Sequence, residues 1–194
     1  MNISVIGAGY VGLITGIGFA KLNHQVSIVD LNDDLIKNLN ENRPPFYEPE
    51  LVDYLNDSNI RNNLFFSTSY QKSINENTDI VFVCVQTPTD PDTGKTKTDY
   101  ISSVLTELKK IESFNFIICI KSTIKATLVE KISNEIDLDY KKIIFNPEFL
   151  REGSAFYDFF NPDRIVIGGS DQKGLNQCTD CLLYTSDAAD DANC

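Results

Sequence analysis

Short apolar runs alternate with longer amphipathic stretches along the whole chain. Residues 2–6, 25–30, 64–67, 79–85, 116–121, 142–145 and 165–168 read as strands, and several are apolar throughout rather than alternating. Strands of that kind are covered on both faces. Residues 11–22, 33–41, 50–55, 100–111 and 127–136 read as helices, with Asn32-Asp33-Asp34 as the start signal of the second. Strands separated by helices imply βαβ units, so the pattern predicts an α/β fold, doubly wound, with a mainly parallel sheet and helices on both faces. Ligands of such sheets bind beyond the carboxyl ends of the strands. Three polar segments, Gln86-Thr-Pro-Thr89, Lys121-Ser-Thr123 and Asn146-Pro-Glu-Phe-Leu-Arg-Glu152, each follow a predicted strand and are expected to converge there.

The first strand runs straight into Gly7-Ala-Gly-Tyr-Val-Gly12, and the second ends on Asp30. G-x-G-x-x-G by itself is weak, because glycine-rich turns are common. Here a strand precedes it, a helix follows, and an acid closes the next strand. That context makes it a Rossmann-like dinucleotide fingerprint. Gly7 permits the tight turn, Gly9 lets backbone N–H groups approach a pyrophosphate, and Gly12 lets the helix pack on the strand. The helix N-terminus then favours the phosphates. Gly12, Gly16 and Ala20 recur every fourth residue, and glycine inside a helix costs roughly 1 kcal/mol against alanine. Close approach to the sheet offsets that cost. A carboxylate at Asp30 can accept from ribose hydroxyls and repels a 2′-phosphate, which predicts NAD over NADP.

Composition narrows the partners. With 17 basic and 28 acidic residues the formal charge is −11, which argues against nucleic acid and anionic membrane surfaces. No run of 18 apolar residues occurs and the chain opens directly on a strand, so a cytoplasmic protein is expected. Cys84 and Cys119 fall in apolar strand runs and read as small buried hydrophobes. Cys178, Cys181 and Cys194 crowd the tail, where C-x-x-C lacks the second pair or histidines that zinc requires. The stretch from Cys181 to Asp190 resembles a translated transposase-type sequencing adapter. Residues 1–180 are therefore expected to form the NAD-binding domain, and 181–194 a non-native tail. His24, the only histidine, is expected in a surface turn and away from catalysis.

Six strings occur in order: Gly7-Ala-Gly-Tyr-Val-Gly12, Tyr47-Glu-Pro49, Val85-Gln-Thr-Pro-Thr89, Lys121-Ser-Thr123, Asn146-Pro-Glu-Phe-Leu-Arg-Glu-Gly153 and Pro162-Asp-Arg164. Together they resemble the amino-terminal domain of the UDP-glucose/GDP-mannose dehydrogenases, and the 162–169 segment resembles the UDP-glucose branch more closely. Such enzymes oxidise a sugar C6 alcohol to a carboxylate with two NAD⁺, through an aldehyde and a cysteine-bound thioester. The resemblance implies that Glu148 acts through water in that chemistry. It implies that Glu148, Phe149, Leu150, Arg151 and Glu152 line the nucleotide-sugar site, with Glu152 also touching the nicotinamide side. Thr123 would hold cofactor and an active-site water, and Thr87 and Pro88 would border the adenosine half. Gly7, Gly9, Tyr10, Val11, Gly12 and Asp30 complete the cofactor set. The nucleophilic cysteine and the dimer contacts of the family belong to later domains, so the complete enzyme is expected to be a homo-oligomer.

Other readings stay open at this point. Glu148 and Glu152, four apart, also suit a solvated helix face, and Thr123 also suits a helix cap. Arg164 suits either a phosphate contact or a brace at the sheet edge. Leu35 stands where many members carry a ribose-contacting lysine. A stand-alone NAD-binding module, or a dehydrogenase of GDP-mannose or a UDP-N-acetyl sugar, would share most of these features.

Overall fold

The computed structural model describes residues 1–111 and 115–191, with side chains described through Leu183; Cys194 lies outside the described residues. The elements are β1 (Asn2–Ile6), α1 (Tyr10–Lys21), β2 (Gln25–Val29), α2 (Asp33–Asn40), α3 (Leu51–Asn56), α4 (Ser58–Arg61), β3 (Leu64–Ser67), α5 (Tyr70–Ser73), β4 (Ile80–Val83), α6 (Asp99–Lys109), β5 (Ile117–Ile120), α7 (Ala126–Glu135), β6 (Ile143–Phe145), α8 (Ala155–Phe160), β7 (Gly168–Gly169) and α9 (Gln172–Asp191). The strands form one sheet in the order β3-β2-β1-β4-β5-β6-β7, parallel throughout except for the last pair. This is the Rossmann-like, mainly parallel, doubly wound arrangement that the pattern predicts. The strand order reverses between β1 and β4, and that switch point opens a crevice at the carboxyl edge.

Two apolar layers sandwich the sheet. Ile3, Val5, Val26, Ile28 and Phe82 pack with α1, α3 and α8 on one face, while Ile6, Val81, Val83 and Ile118 pack with α6 and α7 on the other. Helix α1 is buried from Gly12 to Ala20 without a break, as a helix apolar all round must be. A Cβ on Gly16 would lie 2.5 Å from Ile28 Cδ1, so glycine sets the distance between α1 and β2. Helix α2 begins as its sequence signal requires, with the Asn32 side chain accepting from the Leu35 N–H. Among the described residues no helix is long and apolar enough to cross a membrane.

Several expectations are corrected. Strand pairing of β4 ends at Val83 opposite Ile120, so Cys84 lies just past the strand, half-buried at the carboxyl edge. The strand expected at 165–168 reduces to Gly168–Gly169, because the Val166 carbonyl accepts from the Asn146 side chain rather than from a ladder. His24 does occupy the turn after α1 but is buried, edge-on to Phe19 with Nδ1 3.1 Å from the terminal amino group. Burial, and then that positive charge, lower its pKa. Helices α4, α5, α8 and α9 have no counterpart in the pattern reading. Cys178, Cys181 and Leu182 on α9 are buried in the layer that holds Cys119.

Candidate functional site

The cofactor cradle is built from backbone. Gly7 sits at φ +98°, and a Cβ there would lie 2.9 Å from the Cys84 carbonyl oxygen. At Gly12 a Cβ would lie only 1.9 Å from the Gly7 carbonyl oxygen, so the first turn of α1 can lie over the strand end only without a side chain. Gly9, the N-cap, faces open space and offers no side-chain oxygen, and no acid sits in the first turn. The first N–H groups of α1 thus remain available to an anion. The Asp30 carboxylate accepts from the Ala8 N–H at 2.8 Å and from the Asn32 N–H at 3.0 Å, so it fixes the turn as well as facing the crevice.

A cleft of about 440 Å³ opens beside this turn, with Gly7, Gly9, Asp30, Leu35, Cys84 and Tyr100 in its walls. Anion-ready backbone, open space at Gly9 and a carboxylate in the same cleft wall fit NAD. Leu35 places an apolar surface in that wall, and Lys37 is exposed elsewhere on α2. Burial pushes the Cys84 thiol up to about 12, and its backbone and Cβ pack beneath the turn against Gly7 and Gly12.

The second cleft, about 460 Å³, lies beyond β5 and β6, and Lys121, Asn146, Glu148, Phe149, Leu150 and Arg164 are among its lining residues. Residues 147–153 form a loop and not a helix, which removes the solvated-helix reading of Glu148 and Glu152. Glu148 is half-buried, and its carboxylate accepts from the Leu150 N–H at 2.7 Å. Phe149 and Glu152 are exposed, and the Arg164 guanidinium lies 4.7 Å from the centre of the Phe149 ring. Arg151 points to Asp158, which takes both its backbone N–H at 2.9 Å and its guanidinium at 2.5 and 3.0 Å. The Arg151 guanidinium and backbone N–H hold the Asp158 carboxyl below the usual range.

Thr87, Pro88 and Thr123 lie on the loops after β4 and β5. The Thr87 hydroxyl donates to the Thr123 carbonyl at 2.9 Å and ties those loops together. Thr123 does not cap α7, whose N-cap is Lys125, so its exposed hydroxyl is not committed as a cap.

Three buried groups, noted in the sequence only as members of their motif strings, organise the site. Lys121 donates to the Asn146 amide oxygen at 2.8 Å, and Asn146 donates in turn to the Val166 carbonyl at 2.9 Å. Glu48, only 3% exposed, accepts from the Gly153 and Ala155 N–H groups, each at 2.9 Å, and from the Tyr10 hydroxyl at 2.8 Å. Burial raises its pKa, but these three donors outweigh that and leave it below the usual carboxylate value. The available signal was the position of Glu48, an acid between Tyr47 and Pro49 in a proline-rich loop.

The chain is similar to known proteins over most of its length. Residues 1–185 match the family described as UDP-glucose/GDP-mannose dehydrogenase family, NAD binding domain. The UDP-glucose 6-dehydrogenase YwqF of Bacillus subtilis is 35% identical over 184 residues, 91% of this chain and 41% of that protein. The UDP-glucose 6-dehydrogenase of Rickettsia typhi is 37% identical over 192 residues, 95% of this chain and 42% of that protein. Among solved structures, a UDP-glucose dehydrogenase from Pyrobaculum islandicum superposes with a TM-score of 0.81 at 34% identity, covering 92% of this chain and 43% of that one. A ternary complex of GDP-mannose dehydrogenase from Pseudomonas aeruginosa gives 0.80 at 27%, covering 93% and 44%. The chain thus spans about two fifths of the length of these relatives. It belongs to the UDP-glucose/GDP-mannose dehydrogenase family and carries that family's NAD-binding domain.

Proposed function

We propose that this chain is the cofactor half of an enzyme that oxidises the C6 alcohol of a nucleotide sugar, converting UDP-glucose to UDP-glucuronate. The observation that carries the proposal is the contact between the two clefts. The loop that bears Glu148 approaches the first residue of α1, with the Tyr10 hydroxyl 3.3 Å from the Arg151 carbonyl. A sugar seated against Glu148–Glu152 would therefore lie beside a dinucleotide seated on Gly7–Gly12. Relatives at 35% and 37% identity that are UDP-glucose 6-dehydrogenases support UDP-glucose over other nucleotide sugars.

NAD held by the glycine turn would supply the acceptor for each of the two hydrides lost from C6, one NAD⁺ per oxidation. Glu148 takes up protons through water, a role suited to a half-buried carboxylate at a cleft wall. Phe149, Leu150 and Arg151 shape the sugar-nucleotide side, and Glu152 faces the nicotinamide side. The Thr123 hydroxyl holds cofactor and an active-site water, and the loop fastened by Thr87 borders the adenosine half with Pro88. We place the complete enzyme in the cytoplasm as a homo-oligomer, with a nucleotide sugar as its partner.

Assaying the complete enzyme against UDP-glucose, GDP-mannose and UDP-N-acetyl sugars by NADH absorbance tests the substrate. UDP-glucose should be preferred, and faster turnover of either alternative overturns the assignment. In the same enzyme, Glu148→Gln should lower turnover by about 10²–10⁴ with little change in NAD binding. Intact-protein mass spectrometry should then find a covalent sugar adduct, and near-normal turnover would remove Glu148 from the chemistry.

A further inference from the structure

Besides the direct contact of the Tyr10 hydroxyl with the Arg151 carbonyl, the two clefts are joined through a buried carboxylate. Glu48 enters from the proline-rich loop, far in sequence from both sites. Its Oε1 accepts from the Ala155 N–H, and its Oε2 accepts from both the Gly153 N–H and the Tyr10 hydroxyl. Tyr10 is the first residue of α1, so its backbone belongs to the turn that faces the cofactor phosphates. Its ring packs on Phe46 at 5.0 Å, which restricts where the hydroxyl can go. On the other side, Asp158 accepts from the Arg151 backbone and side chain and from the Ser154 hydroxyl, so residues 151–158 are closed into a unit. A carboxylate this buried is costly unless its lone pairs are filled, and here three donors fill them. A brace of the loop alone would need only the two backbone N–H groups. The third donor comes from the cofactor turn.

We infer that Glu48 is a positioning residue that couples the two sites: ordering of the α1 first turn by NAD is passed through Tyr10 and Glu48 to Gly153–Ala155 and pre-orders the nucleotide-sugar loop. The physical basis is shared ordering entropy. A group fixed by the first ligand no longer has to be fixed by the second, which gives positive cooperativity without a large movement. Reciprocity requires that a sugar nucleotide on the loop strengthen NAD binding by the same factor. The inference rests on the reading of 148–152 as the sugar-nucleotide loop, but its test needs no sugar.

Amide hydrogen exchange of the chain, read residue by residue by NMR with and without saturating NAD, decides the matter. In the unmodified chain NAD should slow exchange at Gly153 and Ala155 by about tenfold, within the usual range of coupling factors. Tyr10→Phe keeps the ring and the two backbone bonds to Glu48 but removes the hydroxyl's link to Glu48 together with its longer contact to the Arg151 carbonyl. It should still show NAD protection at Leu13, while the NAD effect at Gly153 and Ala155 falls below about twofold. Glu48→Gln should lose the effect as well, because an amide nitrogen then faces an N–H or hydroxyl donor. If that variant does not fold, Tyr10→Phe still decides. A brace without coupling would raise exchange at Gly153 and Ala155 equally with and without NAD, so equal transmission in Tyr10→Phe overturns the inference. So does an unmodified chain in which NAD protects the turn but not residues 153–155. Failure of the sugar reading has a different signature: intact coupling here, but no NADH from any nucleotide sugar with the complete enzyme.

Discussion

The glycine turn and the loop after β6 stand at the same edge of one sheet, yet they are held by different means. Around Gly7–Gly12 the geometry is set by what is missing: a Cβ at Gly12 would meet the Gly7 oxygen at 1.9 Å, and α1 carries no side-chain cap. Around residues 146–158 it is set by side chains from elsewhere. Glu48 holds Gly153 and Ala155, Lys121 holds Asn146, and Asp158 holds Arg151. A surface that must let phosphates touch backbone cannot be crowded with side chains, whereas a loop that presents its own carboxylates to a ligand needs its backbone fastened from behind. The cradle should therefore fail when atoms are added, and the loop when charges are removed.

The largest effect tests the first half of that contrast. Gly12→Ala forces the helix start away from the strand, because the obstacle is backbone and not a flexible side-chain tip. Overpacking of this kind costs about 3 kcal/mol, and NAD affinity should fall by about a hundredfold or more, which is about 2.7 kcal/mol. Thermal unfolding and calorimetric titration check the two effects, and an alanine variant with unchanged affinity would dissolve the contrast.

Glu48→Gln tests the second half with a smaller expected effect. Exchanging a carboxylate that accepts three hydrogen bonds for an amide leaves at least one donor facing an N–H, at about 2 kcal/mol. Denaturant unfolding should register the loss, while an unchanged midpoint would mean that the loop is fastened by something else.

The smallest effect is a pH dependence. The folded pKa values of Glu48 and Asp158 are both lowered. Their stabilisation is complete above the ordinary carboxylate values of about 4 and is lost as pH falls through the lower folded ones. Asp158 repels Glu48 and partly offsets this, whereas the Tyr10 hydroxyl and the Gly153 and Ala155 N–H groups oppose protonation. Acidification below about pH 4 should therefore lower the protection of Gly153 and Ala155, relative to their intrinsic exchange rates, before that of Leu13. Simultaneous loss at all three would show that the two regions open as one.

The same contrast explains what could be read from sequence. Strand β3 and the start of α2 at Asn32 followed from local pattern, because apolar runs and caps act over a few residues. The cradle was legible for the same reason: the turn lies within Gly7–Gly12, and Asp30 closes the adjacent strand. The grip on the loop after β6 was not, since Glu48 acts across 105 and 107 positions and Lys121 across 25. No local period marks such a pair. His24 looked like a surface turn because its burial comes from Phe19 and the chain terminus, and α8 stayed unread because Phe156, Phe159 and Phe160 pack in three directions at once.

On the proposed reading, residues 7–30 would select NAD through open backbone at the turn and the Asp30 carboxylate beside the ribose. Calorimetric titration of the chain with NAD and, separately, with NADP tests it most directly. One NAD per chain is expected, with NADP bound at least about tenfold more weakly, because a carboxylate at the end of the second strand would repel a 2′-phosphate. No heat with NAD from a folded sample, or NADP binding as tight as NAD, would contradict it.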